Sequence, residues 1–410
     1  MSMFGTTTSV SRLVRIALTG GVNELVKRVA RKAYQASGAE QLDFPLRVQD
    51  VADSTKIWWT ESAGPVDPGR PLTVSWICAP PGPGSGGHTT MFRFIRRLEA
   101  AGHTCVLHLY DPYGVQLADF TAIIRRHWPE VQADVADIDS GLCDSDVFVA
   151  TSWQTAHVLA SRPQKAGRRV YFVQDYEPYF YPRGSEYALA EDTYRFGFEI
   201  LALGRMVHDE IVGNTGAHCV LVPFGCDVDT YSLTNDNGRR HGVAFYSRPT
   251  TARRGSTLAG LALDLFHERR PNHTIHVIGA RPFSMSAPAV VHPHLAPAEL
   301  ADLYNTTIAG IGMSFTNISL VVEEMLMCGT IPVVNDCGMA RADMKHPGVA
   351  WAAPNPTAIA DRLCELVDAG SNGSLSASAA ADRRTGSWDR SADMVVDILE
   401  NAGRISVSRQ

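Results

Sequence analysis

Short apolar runs alternate with helical segments twice along this chain. That rhythm predicts an α/β protein of two Rossmann-like, doubly wound domains facing an interdomain cleft. In the first pass LTVSWICAP (72–80) reads as a buried strand and a glycine-rich turn follows. MFRFIRRLEAA (91–101) has a helical period closed by Gly102, and HTCVLHLY (103–110) is the next strand. DVFVATS, RRVYFVQD, EILALG and HCVLVPFG continue as strands. The second pass repeats the pattern: HGVAFYSRP, then helix STLAGLALDLFHERR, strand HTIHVIGA, helix AELADLYNTT, strand IAGIGMS, helix LVVEEMLMCG and strand TIPVVND. Between them VPFGCDVDTYSLTNDNGRR (222–240) is rich in turn formers and has no period, which marks a seam. The expected divisions are an N-terminal extension over 1–70, a first domain over 71–230, a second over 239–385, and a closing segment, 386–410, with a helix around Ser391 to Asn401.

Length and composition agree with two domains and narrow the function. The chain has 410 residues, 45% apolar and 20% charged, with a net charge of -6, so no basic field argues for nucleic acid. The charge is uneven. Between Val10 and Tyr34 stand Arg12, Arg15, Lys27, Arg28, Arg31 and Lys32 against Glu24 alone, on a loosely helical apolar pattern. A basic amphipathic helix of that kind suits peripheral contact of residues 10–34 with an anionic membrane, or packing on the protein itself. Thr19, Asn23 and Glu24 interrupt any signal-peptide core, and no 18-residue apolar run occurs. Eight scattered cysteines without a C-x-x-C pair fit reduced thiols in a cytoplasmic protein.

The glycine turn admits two ligand classes. Gly82, Gly84 and Gly87 spell G-x-G-x-x-G, and Asp111 follows the next strand, as a dinucleotide site requires. Pro83 within the motif removes an amide that should face the pyrophosphate. Gly86, Gly87 and His88 instead sit directly at the helix start, where small residues admit any close ligand.

Taken with the helix after it, GGHTTMFRFIRRLEAAGHTCVLHLY resembles the opening of GT-B glycosyltransferases. The resemblance implies that Gly86 and Gly87 face an acceptor or donor phosphate, with Gly87 and His88 among the catalytic positions. FTNISLVVEEMLMCGTIPVV (315–334) is similar to the corresponding stretch of family 4 members. There a helical glutamate five residues before the terminal glycine binds the nucleotide ribose, which is Glu324 here, and the helix N-terminus near Asn317, Ile318, Ser319 and Leu320 meets the diphosphate. One departure stands at Thr316, where many members carry a second, sugar-contacting glutamate. YSRPTTARRG (246–255) supplies Arg248 as the main cation for the donor diphosphate, with Arg253 and Arg254 behind it, one of them expected to face solvent. Gly279 and the loop at His294 and Leu295 match the nucleobase region. PFGCDVDTYS resembles the family's interdomain linker.

YFVQDYEPYFYP (171–182) is the candidate acceptor surface. In an extended segment Asp175 and Glu177 share a face, with Tyr176 and other aromatics around them, and carboxylates among rings suit carbohydrate. This segment, with YSRPT and the Glu323-Glu324 helix, resembles the WsaF-type rhamnosyltransferases of bacterial surface-glycan synthesis. That implies an acceptor role for residues 71–230, a donor role for 239–385, and a helix in 386–410 crossing back, with Trp388 at the junction. It implies transfer of L-rhamnose from dTDP-L-rhamnose to a cell-surface glycan or glycolipid. The family 4 likeness implies retention, with Asp175 and Glu177 as binding residues first and a general base among them as the alternative. No cofactor or essential metal is expected. D-x-D pairs occur at Asp137/Asp139, Asp144/Asp146 and Asp227/Asp229, places too unrelated to form one metal site. A nucleotide-sugar epimerase and a non-catalytic nucleotide-sugar-binding protein remain alternatives on the same architecture.

Overall fold

The computed structural model describes residues 26–59, 67, 69–234, 239–318, 320–337, 340–370 and 387–404. They belong to two units that divide between Val51 and Ala52. The first contains a helix, α1, over 26–36, which bears Lys27, Arg28, Arg31 and Lys32 and leaves Val26 and Val29 exposed. Residues 10–25 of the basic segment lie outside the described residues. Residues 52–59 belong with the second unit: Ala52 N donates to His157 Nδ1 (3.1 Å), and Ser54 binds Asp192 through Oγ (2.7 Å) and N (3.1 Å).

Two all-parallel sheets organise that second unit. The first comprises β1 (Thr73–Cys78), β2 (Thr104–Leu109), β3 (Asp134–Asp137), β4 (Val147–Ala150), β5 (Arg168–Val173), β6 (Glu199–Leu203) and β7 (Cys219–Val222), in the order β3-β2-β1-β4-β5-β6-β7. Its crossovers include α2 (Gly86–Ala100), α3 (Leu117–His127), α4 (Trp153–Ala160), α5 (Ser185–Asp192) and α6 (Arg205–Thr215). The second comprises β8 (Val243–Ser247), β9 (Ile275–Gly279), β10 (Val290–His292), β11 (Ala309–Ile311), β12 (Ile331–Asn335) and β13 (Ala350–Ala352), in the order β10-β9-β8-β11-β12-β13. Helices α7 (Ser256–Arg269), α8 (Pro297–Thr306), α9 (Leu320–Met327), α10 (Ala340–Asp343) and α11 (Pro356–Ala369) connect it. In each sheet the winding reverses between the first and fourth strands, and ligands of open α/β sheets bind beyond the carboxyl ends at that reversal.

Burial on both faces explains why most strands read as plain apolar runs. Val74, Trp76, Leu107, Val149 and Phe172 fill the first core with Phe94, Ile95 and Leu98 of α2. Phe245, Val277, Ile311 and Val333 fill the second with Leu263, Phe266 and Leu363.

The last helix, α12 (Trp388–Arg404), packs into the first core through Trp388, Ala392, Val395 and Leu399, a helical stripe. Trp388 stands edge-on to Phe94 (centroids 6.3 Å apart), with the Arg93 guanidinium 5.5 Å from its ring. A Cβ on Gly225 would lie 2.6 Å from Trp388 N, so the seam must carry glycine there. Trp388→Ala is expected to cost about 3–5 kcal/mol; a thermal unfolding midpoint equal to wild type would contradict that role.

Candidate active site

The turns after β1, β5, β8 and β11 converge. Past β8, Arg248 donates from N to Ser256 Oγ (3.1 Å), which fixes its backbone at the start of α7. Its guanidinium donates from Nη2 to Tyr246 Oη (2.9 Å) and across the cleft to Gly84 O (3.3 Å), and it stays exposed. A cation from the second domain thus touches the glycine turn of the first.

Arg253 and Arg254 are sorted by burial. Arg254 donates from Nη1 to Ser314 Oγ (2.9 Å) and Asn317 Oδ1 (3.1 Å), and burial lowers its pKa. Arg253 lies 4.2 Å from the Phe180 ring centroid with Nη2 3.9 Å from Asp175 Oδ2, and its Nε has no hydrogen-bond partner among the described residues. The sequence suggested that one of the two would point into solvent. Neither does, because the turn Ala252–Arg254 folds back on the loop after β11, where Phe315 N donates to Arg253 O (3.1 Å).

That loop is rigid. Asn335, fully buried, binds Ser314 at N (3.0 Å) and O (2.8 Å), and Ser314 Oγ donates to Asn317 Oδ1 (2.9 Å). Thr316, Asn317 and Ile318 are buried. Ser319 lies outside the described residues, and Leu320 opens α9 with its side chain against the first core, leaving its backbone for a ligand. The first-turn amides of α9 lack intrahelical partners.

Glu323 and Glu324 differ in surroundings. Glu323 is buried, its Oε2 has no hydrogen-bond partner among the described residues, and burial, then Asp343 and Glu324, push its pKa up to about 8. Glu324 is half-buried, and burial with nearby Asp227 raises it to about 7 against the opposing pull of Arg93. Arg93 and Asp227 form a two-bond ion pair joining α2 to the seam, one bond being 2.7 Å. No sequence signal marked that pair, because 134 positions separate its members.

Gly279 has φ +93° and a Cβ there would meet Ser247 O at 2.6 Å, so strand packing alone requires it. Leu295 packs against the buried cluster that contains Ile278, Leu300 and Tyr304.

On the facing side Gly86 and Gly87 are the first turn of α2 rather than a loop before it. No atom stands within 4 Å of a Cβ at Gly86, and one at Gly87 meets only Gln174 at ordinary contact. His88 departs from the catalytic expectation: Nε2 donates to Ala79 O (2.9 Å), so Nδ1 accepts from Ser85 Oγ (2.8 Å), and burial lowers its pKa. Both ring nitrogens are used to shape the turn.

The aromatic segment also differs. Residues Glu177–Phe180 form a 3-10 turn, so Asp175 and Glu177 do not share a face. Tyr176 is fully buried, stacked on Tyr194 (5.6 Å), with Oη donating to Glu191 Oε1 (3.3 Å). Glu177 points inward, where Oε2 accepts from Trp153 N at the start of α4 and from Tyr171 Oη (2.8 Å). Asp175 alone of the three turns to the cleft, where its Oδ1 accepts from Thr316 Oγ1 (2.6 Å). Burial pushes Glu177 up to about 8. A carboxyl whose folded pKa exceeds its ordinary 4.5 holds an extra proton when folded, so its contribution to stability declines as pH rises from about 4.5 to 8. Thermal stability is expected to fall across that window, less steeply in Glu177→Gln; equal slopes would contradict the assignment.

A cavity of 610 Å³ lies elsewhere, lined by Trp59, Arg169, Phe198 and His218 at the amino ends of β5 and β6. It is at the wrong end of the sheet for a reversal-point ligand.

Comparison with known proteins fits this geometry. The WsaF N-terminal domain model matches residues 132–205, and the WsaF C-terminal domain model matches 241–364. Both domains of the WsaF family are thus matched, on a GT-B fold. It is 32% identical over 356 residues to the O-antigen biosynthesis protein RfbC of Myxococcus xanthus, a match covering 82% of this chain and 27% of that protein. The chain therefore spans about a quarter of the length of this relative. Among solved structures, Anabaena Alr3699/HepE in complex with UDP-glucose superposes with a TM-score of 0.62 at 12% identity, over 80% of this chain and 100% of the other. WaaG, a glycosyltransferase involved in lipopolysaccharide biosynthesis, superposes with a TM-score of 0.56 at 15% identity, over 80% and 99%. These likenesses establish the fold. Among the described residues no helix is long and apolar enough to cross a membrane.

Proposed function

We propose that this chain transfers a sugar from a nucleoside diphosphate to a growing surface glycan of the O-antigen type, with dTDP-L-rhamnose as donor and retention of the donor's anomeric configuration. The observation that carries the reading is the Arg248 guanidinium of the second domain reaching the glycine turn of the first. A cation there meets the bond between sugar and diphosphate, with the acceptor approaching over Gly86 and Gly87. The name of the O-antigen relative and the UDP-glucose bound to the Anabaena protein support the substrate class.

The chemistry follows from the charges. As the glycosidic bond breaks, negative charge grows on the diphosphate, and Arg248, Arg254 and the amides at the start of α9 stabilise it without reorganising. The acceptor hydroxyl attacks from the leaving-group side and passes its proton to the departing phosphate, so Glu177 and His88, both engaged internally, need not act as bases. The reading is metal-independent. Four of the six acids in the D-x-D pairs have structural work: Asp137 accepts from Asp139 N, Asp144 pairs with Lys165, Asp146 holds Arg70 and Thr73 N, and Asp227 holds Arg93.

The test is incubation with dTDP-L-rhamnose and a short rhamnose-terminated glycan in EDTA, with NMR of the product. Acceptor-dependent release of dTDP and an unchanged anomeric configuration are expected. Inversion, arrest by EDTA, or conversion of the donor without acceptor would overturn the mechanism.

A further inference from the structure

We infer that Asp175 is a donor-sugar ligand: a carboxylate that the first domain lends to the donor half. The inference rests on the nucleotide-sugar reading above and assigns Asp175 to the donor rather than to the acceptor.

Position is the first argument. Asp175 stands two residues past β5, at the carboxyl end of the first sheet, and both neighbours are tied down. Gln174 donates from Nε2 to Gly87 O (3.0 Å) and accepts at its carbonyl from Asn317 Nδ2 (3.2 Å). Tyr176 N donates to Thr316 O (3.2 Å). The segment therefore bridges the glycine turn and the loop that anchors Arg254, and a reacting sugar must sit between those two.

Unspent capacity is the second. The Asp175 side chain is 13% exposed, yet its one hydrogen bond among the described residues is from Thr316 Oγ1. Arg253 Nη2, at 3.9 Å, is beyond hydrogen-bond distance and is held by the Phe180 ring. A carboxylate offers about four acceptor sites, and burying them unused is costly. Hydroxyl groups of a ligand would fill them.

Charge decides which part of the ligand. A carboxylate repels phosphate, so it must face the neutral, hydroxyl-rich part of a nucleotide sugar while Arg248 and Arg254 face the diphosphate. The donor domain's own loop, GMSFTNI (312–318), contains no acid. Asp175 supplies the carboxylate there from the other domain, oriented by the Thr316 hydroxyl.

The test separates sugar from nucleotide. Calorimetry is run with dTDP and dTDP-L-rhamnose, and with UDP and UDP-glucose, on wild type and Asp175→Asn. The variant keeps the Thr316 bond, since Asn Oδ1 accepts it, but replaces the other acceptor oxygen by a donor. The expected result is a loss of about ten- to a hundredfold in affinity for the nucleotide sugar that wild type binds, with the matching nucleoside diphosphate unchanged. Equal weakening of both would make Asp175 a mere domain latch and overturn the inference, as would no change in either. If wild type binds neither pair, the donor reading itself fails and the inference with it.

Discussion

Arg248→Ala lowers kcat/KM for sugar transfer by about 10²–10³-fold, the range found when one fixed donor to developing negative charge is removed. Stability should change little, because the exposed guanidinium contributes contacts to Tyr246 and Gly84 while the backbone anchor to Ser256 survives the substitution. Arg248→Lys should recover only part of the loss. A single ammonium cannot reproduce the planar fork that meets the Tyr246 hydroxyl, the Gly84 carbonyl and a phosphate together. Steady-state kinetics beside a thermal melt checks both halves, and a variant with unchanged kcat/KM would remove Arg248 from the chemistry.

Glu324→Gln weakens nucleoside diphosphate binding by about ten- to a hundredfold, the worth of hydrogen bonds to a charged acceptor. It also removes a pH dependence. Burial and Asp227 raise the Glu324 carboxyl to about 7, with Arg93 opposing them, so near neutrality the free protein holds a substantial share of it protonated. On the proposed donor site a ribose diol donates to the carboxylate, so binding there would expel that proton. Wild-type affinity therefore rises as pH increases from about 6 to 8 and levels off above, while the Gln variant stays flat in the part due to this group. Isothermal titrations at several pH values read the slope directly. Equal slopes in the two proteins would mean that the nucleotide does not touch Glu324.

What could be read from the sequence was whatever burial writes into local pattern. Both sheets show as apolar runs because parallel strands covered on two faces leave little room for polar residues. β3, with Asp134 and Asp137 in a four-residue strand, and the three-residue β10 and β13 have no such signature and went unread. The helical period is legible only from Met91, because glycine is a poor helix former, yet α2 begins at Gly86.

Position was legible at Arg248, which the sequence puts at a strand end and the structure places against the glycine turn. The site was illegible where long-range partners decide direction. Pro178 and Pro182 exclude a helix, but nothing local reveals the 3-10 turn that sends Glu177 toward Trp153 N and Tyr171 while Asp175 crosses to Thr316, 141 positions away. His88 likewise looked available until Ala79 O and Ser85 Oγ were seen to occupy it.

The most direct measurement is calorimetric titration of wild type, Glu324→Ala and Arg248→Ala with dTDP, UDP, GDP and NAD. Saturable binding of one nucleoside diphosphate, weakened by both substitutions and with no response to NAD, is the predicted result. Binding of NAD, or nucleotide binding indifferent to both changes, would contradict the donor site and return the glycine turn to a dinucleotide role.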